Sequence, residues 1–252
     1  MLPKAIFFDY GDTLINIVSQ DRKQGLTGVL RFAVDGIGAE KGSTERENTV
    51  LIDELAEFGR GLDFRFETLC ARNNLEYRQI DFHRLLYGHF GISFSIGEDQ
   101  LEWEYWKASM ELELAPGVEA ALKAVADRRI PMGIISNTSY REGILRRELD
   151  RRGIMHHFDF LIASADYGIR KPDPLLFEIA LRRMGLKPEE TWYIGNSSTV
   201  DCAGAAAAGM VPVWYAAGDV ENGRYRTESE KIPEGTIILK DWRQLPELLE
   251  RL

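Results

Sequence analysis

The sequence predicts an α/β fold: a parallel sheet alternating with helices and interrupted once by an inserted helical domain. Two observations carry this. Six short apolar runs, at 5–8, 132–135, 158–163, 192–194, 211–215 and 236–239, end in small or polar residues, as strands buried on both faces do. From residue 132 onward the runs alternate with helix-period patterns at 140–152, 174–185 and 200–209, and one more follows at 243–251. Strand, helix and strand in repetition imply a parallel sheet with right-handed crossovers.

The stretch after the first run breaks the rhythm. Following a polar, glycine-spotted segment it shows helix-period apolar spacing and no clear strand, so a helical domain is expected at 16–112 and a core domain at 1–15 and 113–252. Thr44 with Glu47 makes a capping box for the helix carrying Val50, Leu51, Leu55 and Phe58. Gly36-Ile37-Gly38 has the look of a nucleotide-binding glycine loop, but no strand precedes it and the helix after it begins too late. Pro116-Gly117 marks the return to the core. Phe64, Phe66, Tyr87, Phe90, Trp103, Tyr105 and Trp106 are expected to form the insert's own core rather than a pocket. His83 and His89 are expected to be satisfied or solvent-facing, and His156 and His157 to sit in a polar turn before the third core strand.

Composition narrows the function classes. A chain of 252 residues with 44% hydrophobic and 28% charged residues is an ordinary globular composition. Its net charge of -9 repels phosphate backbones, which argues against a nucleic-acid binder. Cys70 and Cys202 are too few and too far apart for a disulfide framework or thiolate cluster, which fits a reducing, cytoplasmic compartment. No stretch approaches the roughly 20 apolar residues that span a bilayer, so no membrane partner is expected. Nothing in the chain fixes its oligomeric state.

In open parallel sheets ligands bind beyond the carboxyl ends of the strands, and four such ends carry suggestive groups. The first is Asp9, which follows four apolar residues and leads through Tyr10 into Gly11-Asp12-Thr13. A carboxylate buried there without a partner costs several kcal/mol, on the order of a desolvated charge, so it should face a cation or react. The second strand ends Ser136-Asn137, a hydroxyl and backbone amides entering a helix, which makes an anion seat. Lys171, between Arg170 and Pro172, is a point charge near the third strand end, and Asp173 can cap the next helix. The fourth run leads into Gly195-Asn196 and, within about a turn, Asp201; such oxygen ligands suit Mg²⁺. Singly, each has a mundane reading as a turn, cap or surface charge.

The order of these groups resembles the motifs of the haloacid dehalogenase-like hydrolase superfamily: Asp9-Tyr10-Gly11-Asp12-Thr13-Leu14, Ile135-Ser136-Asn137, Lys171-Pro172-Asp173-Pro174 with Phe177, and Gly195-Asn196 through Asp201 followed by Gly204-Ala205 and Ala208-Gly209-Met210. The insert between the first two motifs looks like the α-helical cap of one subfamily. The resemblance implies a Rossmann-like core in which Asp9 attacks the phosphorus of a small phosphorylated substrate, giving an aspartyl-phosphate that water hydrolyses. It implies that Ser136 and the Asn137 backbone, with Lys171, hold phosphoryl oxygens. It further implies that Mg²⁺ is bound by Asp9, the carbonyl of Gly11 and Asn196, with Asp201 as direct or supporting ligand.

Two positions depart from the pattern. Family phosphatases carry a second Asp two residues after the nucleophile, which protonates the leaving oxygen; here that residue is Gly11, and Asp12 stands one position too late to inherit the role. General acid–base help contributes roughly 10²–10⁴-fold, so poor leaving groups should be slow. Asn196 replaces a metal-binding Asp and brings no charge. Two alternatives therefore stay open: a metal-free 2-haloacid dehalogenase, and a weakened family member that binds a phosphate ligand or a partner without turnover.

Overall fold

The computed structural model describes residues 2–35, 45–217 and 232–251. The Gly36-Ile37-Gly38 run and the capping box of Thr44 with the Glu47 side chain lie outside the described residues. In chain order the elements are β1 (Ala5–Phe8), β2 (Ile15–Gln20), α1 (Arg22–Leu30), β3 (Ala33–Asp35), α2 (Glu45–Ala71), α3 (Gln79–His89), β4 (Ser93–Phe94), α4 (Glu98–Ser109), β5 (Met110–Leu114) and α5 (Val118–Asp127). They continue with β6 (Met132–Ser136), α6 (Glu142–Arg151), β7 (Phe160–Ala163), α7 (Ser164–Tyr167), α8 (Leu175–Met184), β8 (Thr191–Gly195), α9 (Ala203–Ala207), β9 (Val211–Tyr215), β10 (Ile237–Leu239) and α10 (Gln244–Glu250).

All six expected strands form, in one parallel sheet of order β10-β9-β8-β1-β6-β7. Alternation along β1 splits the core between the two faces. Ile6 and Phe8 join Ile134, Ile194 and Val213 on the face covered by α5, α6 and α10, where Leu122, Leu145 and Leu245 are buried. Ala5 and Phe7 join Ile135, Ile162 and Tyr193 beneath Phe177 and Leu181 of α8. Residues 118, 121, 122 and 125 are the buried ones of α5, the spacing of a helix that lays one stripe on a sheet.

The chain runs outward from β1 through β6 to β7, then returns to the other side of β1 for β8, β9 and β10. The order therefore reverses at β1, and its carboxyl end is the place where open sheets of this kind bind ligands. Asp9 is the first residue beyond that end.

The segment between the first two core strands departs from expectation in one respect. It contains α1 to α4, yet it begins and ends in strand: β2 and β5 pair antiparallel from Ile15 with Leu114 to Gln20 with Met110, and β3 pairs with β4. In β5, Glu111 and Glu113 alternate with Leu112 and Leu114, a short period-two pattern that is hard to tell from a helix end. Within the segment α1 lies flush on α4, because a Cβ at Gly25 would collide with the Tyr105 ring and one at Gly28 with Ala108. Asp21 caps α1 by accepting from the amides of Lys23 and Gln24.

Of the aromatic set, Tyr87, Tyr105 and Trp106 are buried, and Phe66, Phe90 and Trp103 pack partly buried against the core. Phe64 is the exception, at 74% exposed. His83 is fully buried and His89 stacks on Phe58 at 4.1 Å. His156 and His157 fall in a 3₁₀ turn before β7. Among the described residues no helix is long and apolar enough to cross a membrane.

Candidate active site

Parallel pairing sets the ends of three strands side by side. Phe8 is in register with Ile134 of β6 and Ile194 of β8, and the Asp9 amide donates to the Ile194 carbonyl at 2.9 Å. The first residues beyond those strands must therefore lie side by side at this edge of the sheet.

At its centre is an ion cluster. The Lys171 side chain is 1% exposed, and its ammonium donates to Asp9 Oδ1 at 2.7 Å, Asp201 Oδ1 at 2.6 Å and the Tyr193 hydroxyl at 2.7 Å. All three ammonium protons have an acceptor, the condition under which a buried charge is tolerable. Tyr193 passes its own proton to the Ile135 carbonyl at 2.8 Å. The Lys171 backbone is held as well, since Asn137 accepts from its amide at 2.8 Å and donates to its carbonyl at 2.9 Å. The Lys171-Pro172 peptide is cis.

Asp201 sits in a π turn, 198–202, that continues into α9. One of its oxygens faces Lys171 and the other accepts from the Ser197 amide at 2.9 Å. A Cβ on residue 195 would collide with this carboxyl group, so Gly195 is what lets Asp201 come in beneath β8. Ser136 closes β6 and is buried, opposite Ala163.

Charge and burial compete over the titrating groups. Burial pushes the Asp9 carboxyl up to about 6; Lys171 pulls it down, and Asp201 raises it further. For Lys171 burial acts to lower the pKa, and the carboxylates of Asp201 and Asp9 outweigh it, leaving the ammonium above its ordinary value. Burial likewise holds Tyr193 a phenol.

Hard-cation donors are present beside the cluster. The Thr13 hydroxyl lies 3.3 Å from Asp9 Oδ2 and 3.4 Å from Asn196 Oδ1, so one small group touches both oxygens. Trp242, fully buried, fixes this turn by donating to the Thr13 carbonyl at 3.1 Å. Among the described residues no group of three or more His, Cys, Asp or Glu side chains is arranged for a metal. The donors here are instead one carboxylate, one amide and the nearby Gly11 backbone, an all-oxygen set that fits Mg²⁺ and no thiophilic ion.

A family model described as haloacid dehalogenase-like hydrolase matches residues 3–209, from before β1 to beyond α9. The chain belongs to the haloacid dehalogenase-like hydrolases. It is 28% identical over 252 residues to glyceraldehyde 3-phosphate phosphatase of Methanothermobacter thermautotrophicus, covering 98% of this chain and 99% of the relative. It is 32% identical over 135 residues to phosphoserine phosphatase of Thermus thermophilus, covering 54% of this chain and 51% of that one. In fold it resembles a 2-haloacid dehalogenase from Pseudomonas syringae pv. Tomato DC3000, with TM-score 0.63, 22% identity and coverage of 100% and 99%.

Against that family the turn after β1 has a clear local account. Asp12 occupies a left-handed backbone position with φ 52°, a conformation for which Asp is among the more tolerant residues. Its carboxylate accepts from the Ile17 amide at 3.1 Å, so it serves the start of β2. Gly11 is not required by its backbone, and a Cβ there meets only Ile17 Cδ1 at an ordinary 3.5 Å. The hydrolase thus lacks an acid at this position although the backbone there accepts a Cβ without a clash. Two contributors escaped the sequence: Tyr193 lay inside an apolar run, although a buried tyrosine needs a hydroxyl partner, and Thr13 gave no signal apart from its motif.

Proposed function

We propose that this hydrolase is a Mg²⁺-dependent phosphatase of small phosphorylated metabolites, with Asp9 as nucleophile. The observation that carries the reading is the contact of Asp9 with Lys171, which is itself held by Asp201 and Tyr193. Lys171 keeps one Asp9 oxygen engaged and fixes the carboxylate's orientation, leaving Oδ2 on the Thr13 and Asn196 side.

An Asp9 oxygen attacks phosphorus, the ester oxygen departs with the bonding pair and takes a proton, and Asp9 carries the phosphoryl group as a mixed anhydride. Water then attacks the same phosphorus, restoring the Asp9 carboxylate and releasing inorganic phosphate. Ser136 and the Asn137 backbone amide seat phosphoryl oxygens, and Lys171 stabilises charge in the transition state. Asp9, the Gly11 carbonyl and Asn196 would hold Mg²⁺, which supplies positive charge to the phosphoryl oxygens. Asp201 acts through Lys171, since both its oxygens are already bonded within the protein. With no carboxyl at position 11, the leaving oxygen is protonated without a dedicated acid, which favours substrates whose leaving group is stable as an anion. The helices of the 16–112 segment are the place for a cap that selects the rest of the substrate.

Missing that acid is also what a carbon–halogen hydrolase would tolerate, with Asp9 attacking carbon and halide leaving. One experiment separates the two: release of phosphate from 4-nitrophenyl phosphate, glyceraldehyde 3-phosphate and O-phosphoserine, and of chloride from 2-chloropropionate, each with Mg²⁺ and with chelator. The expected result is Mg²⁺-dependent phosphate release, lost on the order of 10³-fold or more in Asp9→Asn. Halide release that survives the chelator would establish the other chemistry.

A further inference from the structure

A carboxylate from the helical segment reaches loops that carry the site. After α2 the chain turns at Asn74, in a left-handed conformation with φ 51°, and runs alongside the core before entering α3. There Leu75 bridges to Ile169, the Glu76 amide donates to the Gly168 carbonyl at 3.0 Å, and the Arg170 amide donates to the Asn74 carbonyl at 2.8 Å. Gln79, at the start of α3, receives the Ser139 hydroxyl at 3.1 Å and donates its amide to the Ser139 carbonyl at 2.7 Å. The segment is thus stitched to the residues just before Lys171 and just after Asn137.

Glu76 stands between these two stitches. Its side chain is 3% exposed, and burial raises its pKa. Oε2 accepts from the Ser164 hydroxyl at 3.0 Å and lies 3.6 Å from Arg170 Nε, while Oε1 accepts from the Tyr77 amide at 3.3 Å. Ser164 opens α7, and its oxygen accepts from the Thr138 amide at 2.8 Å. The same hydroxyl lies 3.0 Å from the Thr138 carbonyl, so its single proton has two possible acceptors. A carboxylate is the stronger, and it turns the Ser164 hydroxyl so that a lone pair meets the Thr138 N–H.

We propose that Glu76 is a positioning residue for the phosphoryl seat: one buried carboxylate of the helical segment that, through Ser164 and Arg170, aligns the loop after Ser136-Asn137 with the segment leading to Lys171. This deepens the phosphatase reading and rests on it. Docking of residues 74–79 and assembly of the seat become one event, because the same groups do both. Such second-hand placement matters in proportion to the precision the chemistry needs, and a displacement of about 1 Å can cost about 10²-fold in rate.

The test compares wild type with Glu76→Ala, Glu76→Gln and Ser164→Ala. The readouts are Mg²⁺-dependent hydrolysis of 4-nitrophenyl phosphate, competitive inhibition by inorganic phosphate, and amide exchange at 137–140 and 168–171. We expect Glu76→Ala and Ser164→Ala to lower kcat/KM and raise the inhibition constant of phosphate by about tenfold, with faster exchange at both segments. Glu76→Gln keeps an acceptor for Ser164 but neither the charge that outcompetes the Thr138 carbonyl nor the one that faces Arg170, so both constants should fall between those of wild type and Glu76→Ala. A Glu76→Ala protein that only melts earlier, with kinetics and exchange unchanged, overturns the assignment. If Glu76→Ala does not fold, Ser164→Ala carries the same readouts. If wild type neither hydrolyses nor binds phosphate, the phosphatase reading falls; exchange then still decides the linkage, with faster exchange supporting it and unchanged exchange ending it.

Discussion

Two buried polar regions of this molecule are built on opposite terms. At the carboxyl end of β1, Asp9, Lys171, Asp201 and Tyr193 are all out of solvent and bonded to one another. Inside the helical segment, His83 and Tyr87 are equally buried, but among the described residues His83 Nδ1 and the Tyr87 hydroxyl have no hydrogen-bond partner. Among those residues the polar contact of His83 is at Nε2, 3.2 Å from the Gln79 amide nitrogen. With Gln79 Oε1 occupied by Ser139, that nitrogen donates, so His83 is neutral with its proton on Nδ1. Burial shifts both regions, moving Asp9 up to about 6 and His83 down to about 3. Only the first region has a counter-charge to keep its groups ionised. A buried network with opposite charges in place can do ionic chemistry; a buried histidine among rings stays neutral and packs.

Removing the counter-charge should have the largest effect. Lys171→Met leaves Asp9 and Asp201 facing each other without a cation. Hydrolysis should fall on the order of 10³-fold, and stability by about 3–5 kcal/mol as for a buried pair that loses one partner. Denaturant titration at neutral pH and at pH 5 checks the second figure, and part of the loss should return at pH 5 as one carboxyl takes up a proton.

Next in size is the acid response of the helical segment. The folded pKa of His83 is about 3, below the ordinary 6.5, so the unfolded chain protonates first. The stability this group contributes is complete above pH 6.5 and lost as pH falls from there toward 3, at up to about 1.4 kcal/mol per pH unit. Asp9 has the reverse sign: with a folded value of about 6 above the ordinary 3.8, its contribution is complete below 3.8 and lost as pH rises through 6. His83→Phe should therefore remove about 1.6 kcal/mol of the loss between pH 6.5 and 5. Unfolding curves at the two pH values for both proteins would expose an unchanged acid loss if His83 were charged when folded.

Much of this site was legible along the chain because strand ends are legible. Asp9, Ser136 and Asn196 each follow an apolar run within two residues, Asp201 and Lys171 follow theirs at seven and eight, and a parallel sheet brings the positions beyond its strand ends to one edge. Tyr193 was not, since within Trp192-Tyr193-Ile194 it reads as one more apolar residue until its hydroxyl is seen below Lys171. Glu76 was hidden for a different reason: its partners Ser164 and Arg170 lie about ninety residues away, brought near by the loop after α2 and not by any periodicity. The β2–β5 ribbon also went unread, because the period-two alternation of β5 covers only a few residues and is hard to tell from a helix end before its partner supplies the bonds. Gly11 could be seen to lack an acid; that the backbone there leaves room for a Cβ could not.

That room gives the most direct measurement. The rate of Mg²⁺-dependent hydrolysis should be followed across aryl phosphates of increasing leaving-group pKa and then an alkyl phosphate, in wild type and in Gly11→Asp. Wild type should fall steeply along the series. Gly11→Asp should leave the most activated ester nearly unchanged and raise the alkyl ester by about 10- to 100-fold, part of the 10²–10⁴-fold that general acid catalysis supplies. A wild-type enzyme as fast on alkyl as on activated aryl phosphate, with Gly11→Asp bringing no gain, would contradict the account of a phosphatase that lacks its acid.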